Sequence, residues 1–561
     1  MKHELPRTQR AVQLVGPDAL RLNPEKRVPP PGPHQIVCRV EAVGLCFSDL
    51  KLLKQFSSHP RKAAIVSGVG PEVLAEIPSY VPGDAPTVPG HETVVRVCAV
   101  GDRVSICRPG ERYLVQTDYR WLRTPGANAA FGYNFEGALQ EYVLMDERVI
   151  TSPGGESMLI PAPEHLSASA IALVEPWACV EDAYATRERQ RLKDAGRMLV
   201  VAEEEVSEGA FTALLARWGR PGEITWVSPR DRPAPVGLPV KEGKDLAELP
   251  EAGYDDVIYF GSRPETVETL FGKLAAGGLL NVALCGGRLA RPVALPVGRV
   301  HYAGIRIVGT MGDDPADSMK TIRPSGEIRA GDAINVVGAG GPMGVMHVIR
   351  NLSLGLDGLT LVASDVDDER LSALGRIAGP LAAESGVAFR TCSPVREAAP
   401  GPFTQTIILV PQPSLVAQAV KQAAEGGVIN IFAGIPPEVT AEVDLGAYIG
   451  KRLYLIGTSG STLQDMRAVL AKVEAGRLDT NLSVAAVSGL EGAADGMRAI
   501  ESREVSGKIV VYPECRGLGL VRLEELEGRL PSVAAFVERG LWNPQAEREL
   551  LRVCGAPRAA Q

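Results

Sequence analysis

Four side chains able to hold a metal ion stand out in a chain with only seven histidines: Cys46, His91, Glu92 and Glu175. Together they offer one thiolate, one imidazole and two carboxylates, a donor set suited to a catalytic zinc that keeps one coordination position open. They come from far-apart segments, so spacing alone also allows a plainer reading, in which His91 is a structural residue of a Pro-Gly turn.

A second constellation is built from glycines. The run at 333–337, AINVV, is apolar except for Asn335 and has the length of a central strand in a parallel sheet. The turn GAGGPMG follows at once, holding Gly338, Gly340, Gly341, Pro342, Met343 and Gly344. Glycines there permit positive φ, let the backbone approach a pyrophosphate and allow the next helix to pack on the strand. The free N–H groups and the positive dipole end of that helix then face the phosphates. A further strand at 359–363 leads to Asp365, about 25 residues past Gly340, which suits a carboxylate bonded to both ribose hydroxyls of NAD and repels a 2′-phosphate. The turn is one residue longer than a plain GxGxxG, so its strand, turn, helix and acid context carries the reading.

Elements sufficient to position both groups fit easily in 561 residues, a length that points to about three or four domains. With 45% hydrophobic and 22% charged residues the composition is that of a soluble globular protein. A net charge of −8 and no basic stripe argue against a nucleic-acid partner. The first residues, MKHELPRTQR, lack an apolar signal core, and no run of about 18 apolar residues occurs, so a cytoplasmic protein without a membrane partner is expected. Nine cysteines without CxxC spacing suggest neither a disulfide framework nor a structural zinc knuckle. His3, His34, His165, His301 and His347 form no constellation in the sequence and are read as structural or surface residues.

The first 60 residues carry short β-like runs broken by prolines, including QIVCRVEAVG after a PPPGPH cluster, as in a β-rich, barrel-like domain. Across the metal candidates the chain resembles the medium-chain, zinc-dependent alcohol dehydrogenase family, and its sorbitol and polyol dehydrogenase branch in particular. The motifs are GLCFSDL around Cys46, PGHE around His91, GDRV at 101–104, GALQEYV at 137–143, the pair Glu175 and Pro176, and GKIVV at 507–511. The resemblance implies that Cys46, His91 and Glu175 ligate one catalytic zinc, with Glu92 as a ligand or switching neighbour. It also implies that Ser48 relays the alcohol proton. Two departures stand beside it. The lobe that holds four cysteines in the family contains only Cys107 here, so a second zinc is not expected. The stretch from Cys46 to His91 is longer than usual and is similar to that of sorbose-1-phosphate reductases. In it Lys51, Lys54, His59, Arg61 and Lys62 are candidates to grip a substrate phosphate, or else form a solvated basic face.

The chain also repeats itself. Residues 257–312 match 407–460: Gly277, Gly278 and Asn281 pair with Gly426, Gly427 and Asn430 at an offset of 149, and Gly309 and Thr310 pair with Gly457 and Thr458 at 148. Each copy reads as the second half of a doubly wound α/β unit. The first halves differ, because where the second copy has VVGAGGPMG the first has VVAEEEVSEG. Glu203, Glu204 and Glu205 would repel a pyrophosphate, so the first copy is expected to keep the fold without the cofactor, as a packing element, a subunit contact or a screen over the active cleft.

The expected fold is therefore α/β: a GroES-like β-barrel catalytic domain with two tandem Rossmann-type doubly wound parallel sheets, the first degenerate. Expected boundaries are 1–190 for the first part of the zinc domain, 191–325 and 326–478 for the two copies, 479–514 for the returning part and 515–561 for a helical extension. In that extension VRLEELEGRL and SVAAFVERGL have amphipathic helical spacing. The expected chemistry is zinc-dependent, NAD(H)-linked interconversion of a polyol, sugar or sugar phosphate and its carbonyl compound, by a homo-oligomer, dimer or tetramer. The alternatives are a non-catalytic NAD-binding scaffold or sensor and a zinc-free quinone or enoyl reductase of the same superfamily.

Overall fold

The computed structural model describes residues 5–229, 238–458 and 460–555; His3 lies outside them. The chain divides into two compact units, Met1–Cys179 with Ser461–Gln561, and Val180–Gly460.

The first unit is built on an eight-stranded sheet centred on strand Gln35–Leu45, which pairs with Glu92–Val100, Tyr142–Asp146 and, antiparallel, Lys508–Val511. Gln35–Leu45 is apolar nearly throughout; its two charged residues, Arg39 and Glu41, stand two apart and so share one face. Glu41 there accepts from both Arg96 (2.7 Å) and Arg112 (2.7 Å). The returning segment joins the same apolar core, with Ile509 and Val511 packed among Val40, Val43 and Leu45.

The C-terminal residues depart from the expected helices. Pro531 stands between the two amphipathic segments, whose α-helices are only four residues each, Leu526–Arg529 and Pro531–Ala534. The long helix is Pro544–Cys554 instead, begun by an Asn543 cap and Pro544. Its Glu547 is buried, accepts the free N–H groups of Ala168 (2.6 Å) and Ser169 (2.8 Å), and so caps helix Ala168–Ala172 from across the unit.

The second unit holds two six-stranded parallel sheets of identical topology. Numbering each sheet's strands in chain order, both run 3-2-1-4-5-6, the doubly wound order expected. The first comprises Arg197–Ala202, Glu223–Val227, Val240–Glu242, Tyr254–Phe260, Leu274–Ala283 and Arg306–Thr310. The second comprises Ala333–Val337, Thr360–Ser364, Ala388–Cys392, Phe403–Ile408, Ala423–Ile431 and Tyr454–Ile456. The likeness extends to a defect in pairing: the register slips after Tyr254 in one and after Phe403 in the other. Gly277 (φ 70°) and Gly426 (φ 67°) make the slip possible, since each turns through the left-handed region. Their N–H groups donate to equivalent carbonyls, Ala303 and Lys451, both at 2.7 Å.

Candidate functional site

Cys46 follows the central strand and is the N-cap residue of helix Phe47–Gln55. Asp49, in the first turn of that helix and fully buried, organises what surrounds it. One oxygen accepts the N–H of Cys46 (3.0 Å), and the other accepts the N–H of Gly90 (3.2 Å) and lies 3.0 Å from His91 Nδ1. A carboxylate can only accept, so His91 donates through Nδ1, which leaves Nε2 as the nitrogen to face another partner. Burial pushes the His91 imidazole down, but Asp49 and Tyr133 more than reverse this and hold it well above the usual histidine range; a bound cation would displace that proton.

Glu92 follows on strand Glu92–Val100, opposite Gly44 in the pairing register. A Cβ at Gly44 would collide with the Glu92 carboxylate, so this glycine leaves the space that the side chain fills. Lys508, itself buried, donates to Glu92 Oε1 (2.6 Å) and to the Leu45 carbonyl (2.8 Å). Glu92 Oε2 is buried without a hydrogen-bond partner among the described residues. Ligand atoms of Cys46, His91 and Glu92 all lie within 4.8 Å of one another. A thiolate, an imidazole and a carboxylate at that spacing fit a zinc ion, and Glu92 keeps an unpartnered oxygen to offer it. Glu175, expected as the third ligand, is outside this group. Its carboxyl is nevertheless buried beside it: burial pushes it up to about 7, opposed by His91 and reinforced by Glu92. Glu92 adjoins His91 in the chain and turns into the space at Gly44, whereas Glu175 comes from a separate helix, Val174–Ala185.

The five basic residues of the long segment part company. Lys54 is tied to Asp18 (2.9 Å) and Glu501 (2.6 Å), and Lys62 is buried against the carbonyls of Val81 and Ala85. Lys51 lies over the Phe47 ring. Arg61 and His59 instead flank Tyr133, whose ring centroid is 5.7 Å from that of His91. Arg61 also pairs with Asp118 at 2.6 Å. Ser48 lies partly buried in the first turn after Cys46.

In the second unit, the strand Ala333–Val337 and the helix Pro342–Leu352 flank the glycine turn. Gly338 has φ 87°, and a Cβ at Gly344 would strike the Gly338 carbonyl, so both positions demand glycine. Pro342 is the first helical residue and Gly341 the cap, a residue with no side chain to occupy the first N–H groups of Met343 and Gly344. Asp365 reaches the turn, accepting the N–H of Gly340 at 2.8 Å. In the first copy the matching helix, Glu208–Trp218, is capped by the hydroxyl of Ser207, which accepts from Ala210. Glu203 is held by Tyr259 (2.6 Å) and Thr266 (2.8 Å).

Residues 32–153 match the alcohol dehydrogenase GroES-like domain. L-sorbose 1-phosphate reductase of Klebsiella pneumoniae is 31% identical over 154 residues, 27% of this chain and 36% of the relative. The matched segment is thus similar to the alcohol dehydrogenase GroES-like domain and to a sugar-phosphate reductase. An uncharacterized Escherichia coli K12 protein, YggP, is 25% identical over 248 residues, 41% of this chain and 58% of that protein. The chain thus spans less than two thirds of either curated relative. The fold is also that of 2R,3R-butanediol dehydrogenase from Bacillus subtilis, with TM-score 0.52 and 15% identity over 90% of this chain and all of that one.

Three residues of the site were not singled out by the sequence. Asp49 and Lys508 sit inside quoted motifs, GLCFSDL and GKIVV, where their charge amid apolar neighbours was the available signal. Tyr133 carried none. No helix among the described residues is long and apolar enough to cross a membrane.

Proposed function

We propose that this protein is an NAD(H)-dependent oxidoreductase that interconverts a polyol or sugar alcohol and its carbonyl compound at a zinc site formed by Cys46, His91 and Glu92. The observation that carries the reading is a trio of donor atoms within 4.8 Å of one another, on two buried residues and the half-buried Cys46, beside a Glu92 oxygen with no hydrogen-bond partner among the described residues. Zinc, when bound, supplies a positive charge that stabilises an alkoxide and polarises a carbonyl. Asp49 orients His91, and Lys508 fixes one oxygen of Glu92 so that the other remains free. Ser48 serves as the hydroxyl that passes the substrate proton outward. Glu175, whose carboxyl sits near neutrality, is a buried acceptor for a neighbouring substrate hydroxyl, which favours polyols over simple alcohols.

Gly338, Gly340, Gly341, Pro342, Met343 and Gly344 hold the pyrophosphate, and Asp365 takes the ribose hydroxyls, favouring NAD over NADP. A phosphorylated sugar is the finer reading, since Arg61 and His59 stand beside Tyr133 at the His91 ring and a sequence relative is named for reduction of a sugar phosphate. Metal content measured with an NAD-reduction screen of polyols, sugars and their phosphates tests the proposal. One zinc per chain and turnover lost on Cys46→Ala are expected; full turnover in metal-free protein overturns it. An unchanged preference between a sugar and its phosphate in Arg61→Ala would remove the phosphate reading alone.

A further inference from the structure

The two doubly wound copies touch each other by a rule that the repeat makes visible. Strand Val293–Leu295 of the first copy runs antiparallel to Ala441–Val443 of the second, with Val293 opposite Val443, Ala294 opposite Glu442 and Leu295 opposite Ala441. At the repeat offset of 148, Ala441 is the counterpart of Val293 and Val443 that of Leu295. Val293 therefore faces the counterpart of Leu295, and Leu295 faces the counterpart of Val293. Ala294 faces its own counterpart, Glu442. This is the pairing produced by a two-fold axis through the central pair.

An independent set of contacts obeys the same rule. A Cβ on Gly309 would lie 2.7 Å from Ile449 of the second copy; on Gly457, the counterpart of Gly309, it would lie 2.9 Å from His301 of the first. At the same offset, Ile449 is the counterpart of His301. Both contacts are close because glycine stands at each of the two equivalent positions. One apolar core runs through the joint, taking Val297 and Val300 from the first copy with Leu445 and Tyr448 from the second, and Tyr448 donates to the Ile307 carbonyl at 2.8 Å.

Reciprocal contact, residue against the other's counterpart in both directions, is how two identical subunits meet on a self-complementary face. Two domains merely strung on one chain have no physical reason to place equivalent residues across an axis. We propose that the first copy is a built-in dimer partner: it fills in cis the self-complementary face through which a chain with one such fold would bind a second chain. It has kept the face and lost the glycine turn. A second molecule cannot add at this surface, and the tether gives the joint an effective concentration on the order of millimolar, so dilution does not open it. At this face the chain is complete without a partner, in place of the homo-oligomer expected from the sequence.

Cysteine cross-linking of the full chain tests this, because directly opposed antiparallel residues have Cα atoms about 4.5–5.5 Å apart, within disulfide reach. Ala294→Cys, Glu442→Cys and the double variant would be oxidised and resolved without reductant, with the linked peptides identified by mass spectrometry. The expected result is a 294–442 link in the double variant only, in a product of single-chain mass, 59.5 kDa. A covalent dimer from Ala294→Cys alone, a double-mass product from the double variant, or no link in the double variant each overturns the proposal. As a second measure, Val443→Asp should lower the melting temperature without changing the sedimentation mass of the chain; a fall in that mass would show that the face joins separate chains.

Discussion

The two parallel sheets of the second unit share strand order, a register slip and a pair of left-handed glycines, yet their first turns differ in kind. In the second copy a side-chain-free cap, Gly341, leaves the helix N-terminus open, and Asp365 braces the turn through Gly340. In the first copy Ser207 closes the helix with its own hydroxyl, and Glu203 is locked by Tyr259 and Thr266. The difference separates what folds a doubly wound sheet from what makes it bind. Apolar strands such as Met198–Val201 and Ile334–Val337 keep the architecture, while six or so turn residues decide whether an anion can approach.

That contrast can be broken most sharply at Gly341. A Cβ there meets only the Gly338 carbonyl at 3.8 Å, and φ is −82°, so Gly341→Asp should fold normally. Its charge, about 4 Å from a phosphate, should cost about 4 kcal/mol, a roughly 1,000-fold loss of NADH affinity in a fluorescence titration. Unchanged affinity would place the nucleotide elsewhere.

The next effect is a dependence on pH to which a histidine of the second copy contributes. His347 lies fully buried against Tyr184 Oη (2.7 Å), and burial, with Arg350 nearby, pushes its imidazole down to about 3. The folded state therefore binds fewer protons than the unfolded chain between about pH 3 and 6.5, so stability is full above 6.5 and falls as pH drops, by roughly 1.4 kcal/mol per unit. Urea unfolding at pH 7, 6 and 5 should show this slope, and His347→Gln should flatten it. The corresponding helix of the first copy, Glu208–Trp218, has no histidine.

A smaller change is expected on removing the first copy's own cap. Ser207→Ala should lower stability by about 1 kcal/mol, seen as a modest fall in the unfolding midpoint, with NADH binding unaffected. Smallest of all is the effect of neutralising the acidic turn with Glu203→Gln, Glu204→Gln and Glu205→Gln together. Titration should still find one NADH per chain, since the glycines remain absent and Ser207 still caps the helix. Two per chain would mean that charge alone separates the copies.

Much of the fold was legible because it is written in local terms. The apolar run at 333–337 before a glycine turn specifies a strand and a helix start, and the offset of 149 between Gly277 and Gly426 announces the duplication. The candidate site was legible in part. Cys46, His91 and Glu92 were nameable from residue type and motif. The distance of Glu175 from that trio was not, because it depends on how a helix packs beside a strand distant in the chain. The five basic residues at 51–62 looked alike in sequence, and their separation into paired, buried and site-facing groups rests on partners as remote as Glu501 and Asp118.

Residue order was thus enough to establish the strands, the turns, the repeat and the chemical types available for a metal and a nucleotide, since each follows from neighbours a few positions apart. The union of Cys46, His91 and Glu92 around a space left by Gly44, the Lys508 contact that frees one oxygen of Glu92, and the pairing of Ala294 with Glu442 emerged only in three dimensions. All three join residues separated by tens to hundreds of positions, where burial and register, rather than local pattern, select one arrangement among many.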